Sequence, residues 1–179
     1  NRERLEAAVG QLNGLGLDVV GYPFDITESG DVEEAVGRIL KNEGDIDILV
    51  NNAGINMRAP LEEMDLETWE TVMKANLTSA FIVSRQIAGA MIRKKDGCII
   101  NICSLMSNSA RKTIAPYSAA KAGLKMLTQS MATEWGPYNI RANAIGPGYF
   151  KTEMNTALFT NPEFDNWITG RTPMGRWGW

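Results

Sequence analysis

An α/β fold, a doubly wound parallel sheet with helices on both faces, is what this sequence predicts, on three observations. Apolar runs of about six residues alternate with longer stretches whose apolar residues recur at helical spacing. Glycines such as Gly14, Gly16, Gly44 and Gly97 punctuate the junctions. Successive runs are separated by helix-length segments, the crossovers that parallel neighbours require.

The first segment, Asn1 to Asn13, sets Leu5, Val9 and Leu12 at helical spacing and then meets Gly14 and Gly16, which suit a helix end. Val19, Val20 and Tyr22 make a short strand ending at Asp25. From about Asp31 a helix carries the stripe Val32, Val36, Ile39 and Leu40 as far as Gly44. Ile46 to Asn51 is a second strand, and Leu66 to about Lys94 reads as one long helical stretch with Trp69, Val72, Met73, Leu77, Phe81 and Ile87. Cys98 to Cys103 is a third strand, about Ala115 to Trp135 a helix, and Ile140 to Ile145 a fourth strand running into Gly146, Pro147 and Gly148. The remainder is irregular or short-helical. Without repeats, low-complexity tracts or a linker-like segment, residues 1–179 are expected to form one domain.

Composition narrows the function classes. The chain is 44% hydrophobic and 22% charged with a net charge of -3, and it lacks the basic excess that a nucleic-acid partner would call for. Its apolar runs fall far short of the roughly 20 residues of a membrane span, so a soluble, cytoplasmic protein without membrane partners is expected. Cys98 and Cys103, five apart in an extended run, point to opposite faces and cannot readily bridge. No metal site is expected from two thiols and no histidine. The absence of histidine also removes every mechanism with an imidazole base, leaving Tyr, Lys, Asp or Glu to move protons.

Parallel sheets bind ligands beyond the carboxyl ends of their strands, and three groups of residues fall there. Asp25 can cap the following helix or meet a ligand. Asn51-Asn52-Ala53-Gly54 combines amides with small residues that let backbone approach a ligand, although alone it is a turn signal. Tyr117 and Lys121, four apart on a helix, rise on one face, where an ammonium would favour the phenolate and lower a phenol pKa that is ordinarily near 10. Ser104, thirteen residues before Tyr117, could hydrogen-bond a carbonyl or alcohol while the phenol exchanges its proton. Asn76 is awkward inside a helix and could anchor a water or a lysine. A Tyr-x-x-x-Lys spacing by itself arises by chance in most proteins.

Together the stretches NNAG (Asn51 to Gly54), KANLTSAF around Asn76, IINICS ending at Ser104, YSAAK (Tyr117 to Lys121) and IRANAIGPGYFKT (Ile140 to Thr152) resemble the short-chain dehydrogenase/reductase family along essentially the whole chain. The phrasing NICSLMS, AAKAGLKMLT, IGPGYFKTEM and TGRTPMGRW is most similar to its gluconate 5-dehydrogenase branch. The resemblance implies a Rossmann-like fold and hydride transfer between NAD or NADP and a secondary alcohol or ketone, here of a sugar acid. Reduction of 3-oxoacyl thioesters or steroids, or a non-catalytic cofactor-binding or assembly role, are the alternatives. It implies Tyr117 as acid/base, Lys121 on the nicotinamide ribose and Ser104 on the substrate oxygen. Asn76 would hold a water joining Lys121 to solvent. Asp25 and Ile26 would meet the adenine end, Asn52, Ala53 and Gly54 the ribose side, and Pro147, Gly148, Phe150 and Thr152 the nicotinamide. Lys151 to Arg171 occupies the place of a substrate lid, and Arg58, Arg111, Lys112 and Arg171 are candidate cations for a carboxylate. A homodimer or homotetramer paired through the long helices is implied as well.

Two departures from the pattern accompany the resemblance. No glycine-rich phosphate loop is present, so the domain is expected to be incomplete at both ends, and the choice between NAD and NADP stays open. In the strand order 3-2-1-4-5-6, the segment at Val19 to Phe24 would be strand 3 and Ile46 to Asn51 strand 4, leaving a gap between them.

Overall fold

Three parallel strands, β1 (Ile48–Asn51), β2 (Gly97–Ile102) and β3 (Ile140–Ile145), hydrogen-bond in the order β1-β2-β3. The computed structural model describes residues 1–179 apart from the side chain of Met154. Register pairs Asn51 with Asn101 and Ile102 with Ile145, so the carboxyl ends of the three strands finish at one level. Two helices, α1 (Arg2–Gly14) and α2 (Ser29–Asn42), precede β1; α3 (Leu66–Met73) and α4 (Ser79–Lys94) connect β1 to β2, α5 (Ala115–Trp135) connects β2 to β3, and the short α6 (Thr156–Phe159) and α7 (Pro162–Arg171) follow. The parallel sheet with helices on both sides is the predicted architecture.

Two predicted elements differ. Val19 to Asp25 is not a strand: a strand needs a neighbour to ladder with, and none of β1, β2 or β3 lies alongside that segment. The outer strand β1 correspondingly leaves Ile48 and Val50 exposed. The stretch Leu66 to Lys94 is interrupted by a π turn at Lys74–Thr78 that separates α3 from α4. Asn76 sits in this turn, its Nδ2 donating to the carbonyl of Val72 at 2.8 Å, which accounts for its tolerance there.

The core lies between the sheet and α2, α4 and α5, where Val32, Val36, Ile82, Ile87, Met91, Ile99, Met131 and Ile140 form one cluster. Fully burying a side chain such as Met91 or Ile99 stabilises the fold by about 1.5–3 kcal/mol. A buried amide network is embedded in it. Asn51 Nδ2 donates to Ser84 Oγ at 2.9 Å and to Asn101 Oδ1 at 2.8 Å, and Asn101 Nδ2 donates to Thr128 Oγ1 at 2.8 Å. These bonds fix the heights of α4 and α5 against the strand ends, because breaking one leaves a buried polar group unpaired. Cys98 and Cys103 are buried free thiols. Among the described residues no helix is long and apolar enough to cross a membrane.

Candidate active site

At the end of β2 the chain turns sharply, and Ser104 caps the short 3-10 turn Leu105–Ser107, its Oγ accepting from Met106 N at 3.1 Å. Ser107 Oγ accepts from Ser104 N at 3.3 Å and donates to the carbonyl of Lys121 at 2.9 Å, tying this turn to α5. Pro116 in the first turn of α5 suits a helix start, and from there the 3.6-residue period stacks Tyr117 and Lys121 on the same face. Lys121 Nζ donates to the carbonyl of Ile102 at 2.6 Å and lies 5.8 Å from the centroid of the Tyr117 ring. Ser104, Tyr117 and Lys121 thus converge at the carboxyl end of β2.

Burial dominates the electrostatics of this corner. It pushes the Tyr117 phenol above its ordinary value, while the Ser104 hydroxyl pulls it back down. This is opposite to the direction expected from Lys121. Lost hydration is the largest cause, and the ammonium lies beside the ring with its Nζ turned to the Ile102 carbonyl. Lys121 is itself held below the usual lysine range by burial, with Cys103 acting weakly in the other direction.

Asn76 faces the same corner from the π turn. Its Nδ2 donates to the carbonyls of Ile55 and Val72, both at 2.8 Å, while its Oδ1 is buried without a partner among the described residues. Gly54 separates it from Lys121. A Cβ on Gly54 would overlap Asn76 Oδ1 and stand 3.7 Å from Lys121 Nζ, so only glycine leaves this space open.

Two cavities meet here. The larger, about 430 Å³, is lined by Asn52, Gly54, Asn76, Ser104, Tyr117 and Lys121, and on the β3 side by Pro147, Gly148, Phe150 and Thr152. The smaller, about 190 Å³, is lined by Ile26, Asn52 and Ala53 together with Phe24, Leu49 and Leu124. They share Asn52 and Asn76, which makes one groove across the strand ends. Of the catalytic and cofactor candidates read from the sequence, only Asp25 lines neither cavity. Its carboxylate accepts from Thr27 N and Thr27 Oγ1, both at 2.8 Å, and these bonds hold it below the usual carboxylate range, so its local role is that of a turn cap.

Among the candidate cations, Arg58 and Arg111 line the larger cavity, whereas Arg171 stacks on Trp167, 4.4 Å from its centroid. Lys112 is exposed and lines neither cavity. Sequence reasoning missed Asn56 and Tyr149, which line the larger cavity, and Ser107. Ser107 had a signal, since Ser104-x-x-Ser107 at a strand end is a capping pattern. Tyr149 lies between two residues that were singled out, and its role comes only from tertiary approach.

Comparison with known proteins fits this geometry. A family model described as short chain dehydrogenase matches residues 1–163. The chain is 43% identical over 179 residues to the 2-dehydro-3-deoxy-D-gluconate 5-dehydrogenase of Formosa agariphila, covering 99% of this chain and 68% of that protein. It is 45% identical over 176 residues to the 5-keto-D-gluconate 5-reductase of Escherichia coli K12, covering 98% and 69%. The crystal structure of a gluconate 5-dehydrogenase from Burkholderia cenocepacia J2315 in complex with NADP and tartrate superposes with a TM-score of 0.95 at 43% identity, covering 99% of this chain and 70% of that one. A serine, a tyrosine and a lysine gathered at the end of the middle strand are therefore found in a chain that belongs to the short-chain dehydrogenase family.

Proposed function

We propose that this protein is an NAD(P)-dependent oxidoreductase that interconverts a secondary alcohol and a ketone of a sugar acid such as gluconate and 5-ketogluconate, with residues 1–179 acting as one Rossmann-like domain. The observation that carries the substrate class is the charge of the larger cavity: Arg58 and Arg111 line it, and among the described residues no Asp or Glu does. Two guanidiniums without a lining carboxylate suit an anionic substrate. The relatives named for gluconate and its keto forms support the same reading.

The groove suits an extended nucleotide cofactor, with small residues at Ala53 and Gly54 where backbone must approach and the unpartnered Asn76 Oδ1 beside them. Ile26, Asn52, Ala53 and Gly54 would hold it along one side, and Pro147, Gly148, Phe150 and Thr152 on the other, with Asp25 shaping the turn at its far end. When bound, the nicotinamide supplies or accepts the hydride. Ser104 orients the substrate oxygen, and the Tyr117 hydroxyl gives it a proton in reduction or takes one in oxidation. Lys121 keeps a positive charge beside the phenol and holds the cofactor ribose. Asn76 Oδ1 holds a water that leads the proton from Lys121 to solvent.

Phe81 on α4 and Met126 on α5 remain 45% and 61% exposed, the kind of apolar surface that a homodimer or homotetramer would cover. The setting of the reaction is cytoplasmic. Incubating the full-length protein with gluconate or 5-ketogluconate and either NAD or NADP, while following nicotinamide absorbance, tests the assignment. Turnover with at least one pair is expected. Turnover of an acetoacetyl thioester and none of sugar acids would transfer the reading to acyl reduction, and no turnover of any of these would favour a cofactor-binding role.

A further inference from the structure

The turn that follows β2 is fastened on several sides, and two of the fastenings meet in the Ser107 hydroxyl. On the β3 side, Cys103 N donates to the carbonyl of Ile145 at 2.8 Å. A Cβ on Gly146 would stand 3.3 Å from the Ser104 carbonyl oxygen, so backbone there backs directly onto backbone. Within the turn, Ser107 N donates to the Ser104 carbonyl at 3.0 Å, and Ser107 Oγ accepts from Ser104 N at 3.3 Å. On the α5 side, the same Oγ donates to the Lys121 carbonyl at 2.9 Å. Lys125 Nζ donates to Asn108 Oδ1 at 2.5 Å, a second tie one helical turn further along and at the surface.

Tyr117 reaches the larger cavity from α5 and Ser104 from the end of β2, so their separation depends on how the strand end sits against the helix. Lys121 Nζ also bridges the two, through the Ile102 carbonyl, but in the reading above that ammonium serves the cofactor ribose. Ser107 joins strand end and helix without using a reacting group. A hydroxyl that accepts from one partner and donates its single proton to the other fixes both ends at once. Without it the Ser104 amide loses that acceptor, and the turn keeps its backbone bond but not its grip on α5.

We infer that Ser107 is a positioning residue for the reaction, acting through Ser104 by holding that hydroxyl at the height on α5 where the Tyr117 phenol exchanges its proton. This rests on the roles proposed above for Ser104 and Tyr117, whichever ketone is the substrate. The side chain carries the effect. Ser107→Ala retains the bond from Ser107 N to the Ser104 carbonyl, so the turn itself survives the substitution.

The test uses the full-length protein with NADH or NADPH and 5-ketogluconate, or an acetoacetyl thioester if the sugar acid is not turned over. Ser107→Ala is expected to lower kcat about tenfold to hundredfold, the range for a small misplacement of a reacting group, with KM changed less than about threefold. Ser107→Thr keeps the hydroxyl and is expected to recover most of the loss. If its extra methyl prevents folding, Ser107→Cys, with a weaker donor, should fall between alanine and serine. In a Ser104→Ala background the further loss from Ser107→Ala should shrink to less than about threefold, because residues in one hydrogen-bonded unit do not act additively. Lys125→Met cuts only the surface tie and should leave kcat within about twofold. Amide hydrogen exchange at Ser104, which needs no substrate, should quicken in Ser107→Ala and slow again in Ser107→Thr. An unchanged kcat, a KM that rises as much as kcat falls, an undiminished loss in the Ser104→Ala background, an equal loss in Lys125→Met or unchanged exchange at Ser104 would overturn the inference. Failure of the functional reading looks different: wild-type protein would turn over neither ketone with either nucleotide, and the exchange measurement would still decide whether Ser107 holds Ser104.

Discussion

The corner formed by β2 and α5 and the segment from Tyr149 to Trp177 border the same cavity, yet they are built by different forces. The first is tied by strand ladders, by the buried Asn51, Asn101 and Thr128 amide and hydroxyl bonds, and by Ser107 between the Ser104 turn and Lys121. The second has two short helices, and its cohesion comes from the edges of Tyr149, Phe159, Phe164 and Trp177. Directional bonds in a low-dielectric core fix positions to tenths of an ångström, whereas ring edges permit small slides at little cost. Groups that exchange a proton need the former, and a wall that must accept a substrate tolerates the latter.

The comparison breaks if the two regions fail to respond differently to substitution. The largest effect is expected for Tyr117→Phe, which removes a hydroxyl from the rigid corner without disturbing the aromatic segment. It should lower kcat about 10²- to 10⁴-fold in steady-state assays, with substrate KM nearly unchanged. The wild-type pH profile should carry the mark of the same phenol. Since burial raises its pKa, ketone reduction, which needs the proton, should persist through neutral pH and fall only as the pH climbs through the phenol's own titration.

Lys121→Met comes next, with an expected loss of about 10²-fold in kcat and a gain in stability. The sign follows from the lowered pKa of Lys121: the folded state binds its proton less well than the unfolded state, so the buried ammonium costs stability below the lysine pKa of the unfolded chain, and that cost disappears as pH rises through the interval between the two values. Thermal unfolding of the two proteins from pH 7 to pH 10 should show the variant more stable at the lower end and the difference shrinking upward. A variant less stable at every pH would refute it.

The smallest effect is expected in the aromatic segment. Trp177→Phe keeps a ring and deletes the bond to Asp165, which should cost about 0.5–1.5 kcal/mol in denaturant unfolding and change KM more than kcat. If kcat fell more than KM rose, the segment would belong to the rigid corner and the contrast would fail.

The legibility of the molecule follows the same divide. The helix Ala115–Trp135 and strand Ile140–Ile145 have their predicted limits because periodicity and flanking turns agree there. Ser104, Tyr117 and Lys121 could be picked out because each stands at a strand end or on one helix face, where short-range geometry decides the position. Val19 to Asp25 has strand-like residues but no neighbour, and strand formation is decided by the partner. The π turn was hidden because one widened turn barely disturbs an apolar stripe, although Asn76 was its trace. Asn56 and Tyr149 reach the cavity through packing between distant segments, which spacing along the chain does not encode. The raised phenol pKa was equally out of reach, since it depends on how much water the fold removes.

Gly54 gives this architecture an unusual kind of constraint. The space beside Asn76 Oδ1 and Lys121 Nζ is too narrow for even one methyl group, and the glycine is what leaves it open. Selection at this position would therefore act on volume and ignore polarity: serine and valine would be equally excluded, and the two side chains on either side could vary only in ways that leave the same small opening between them.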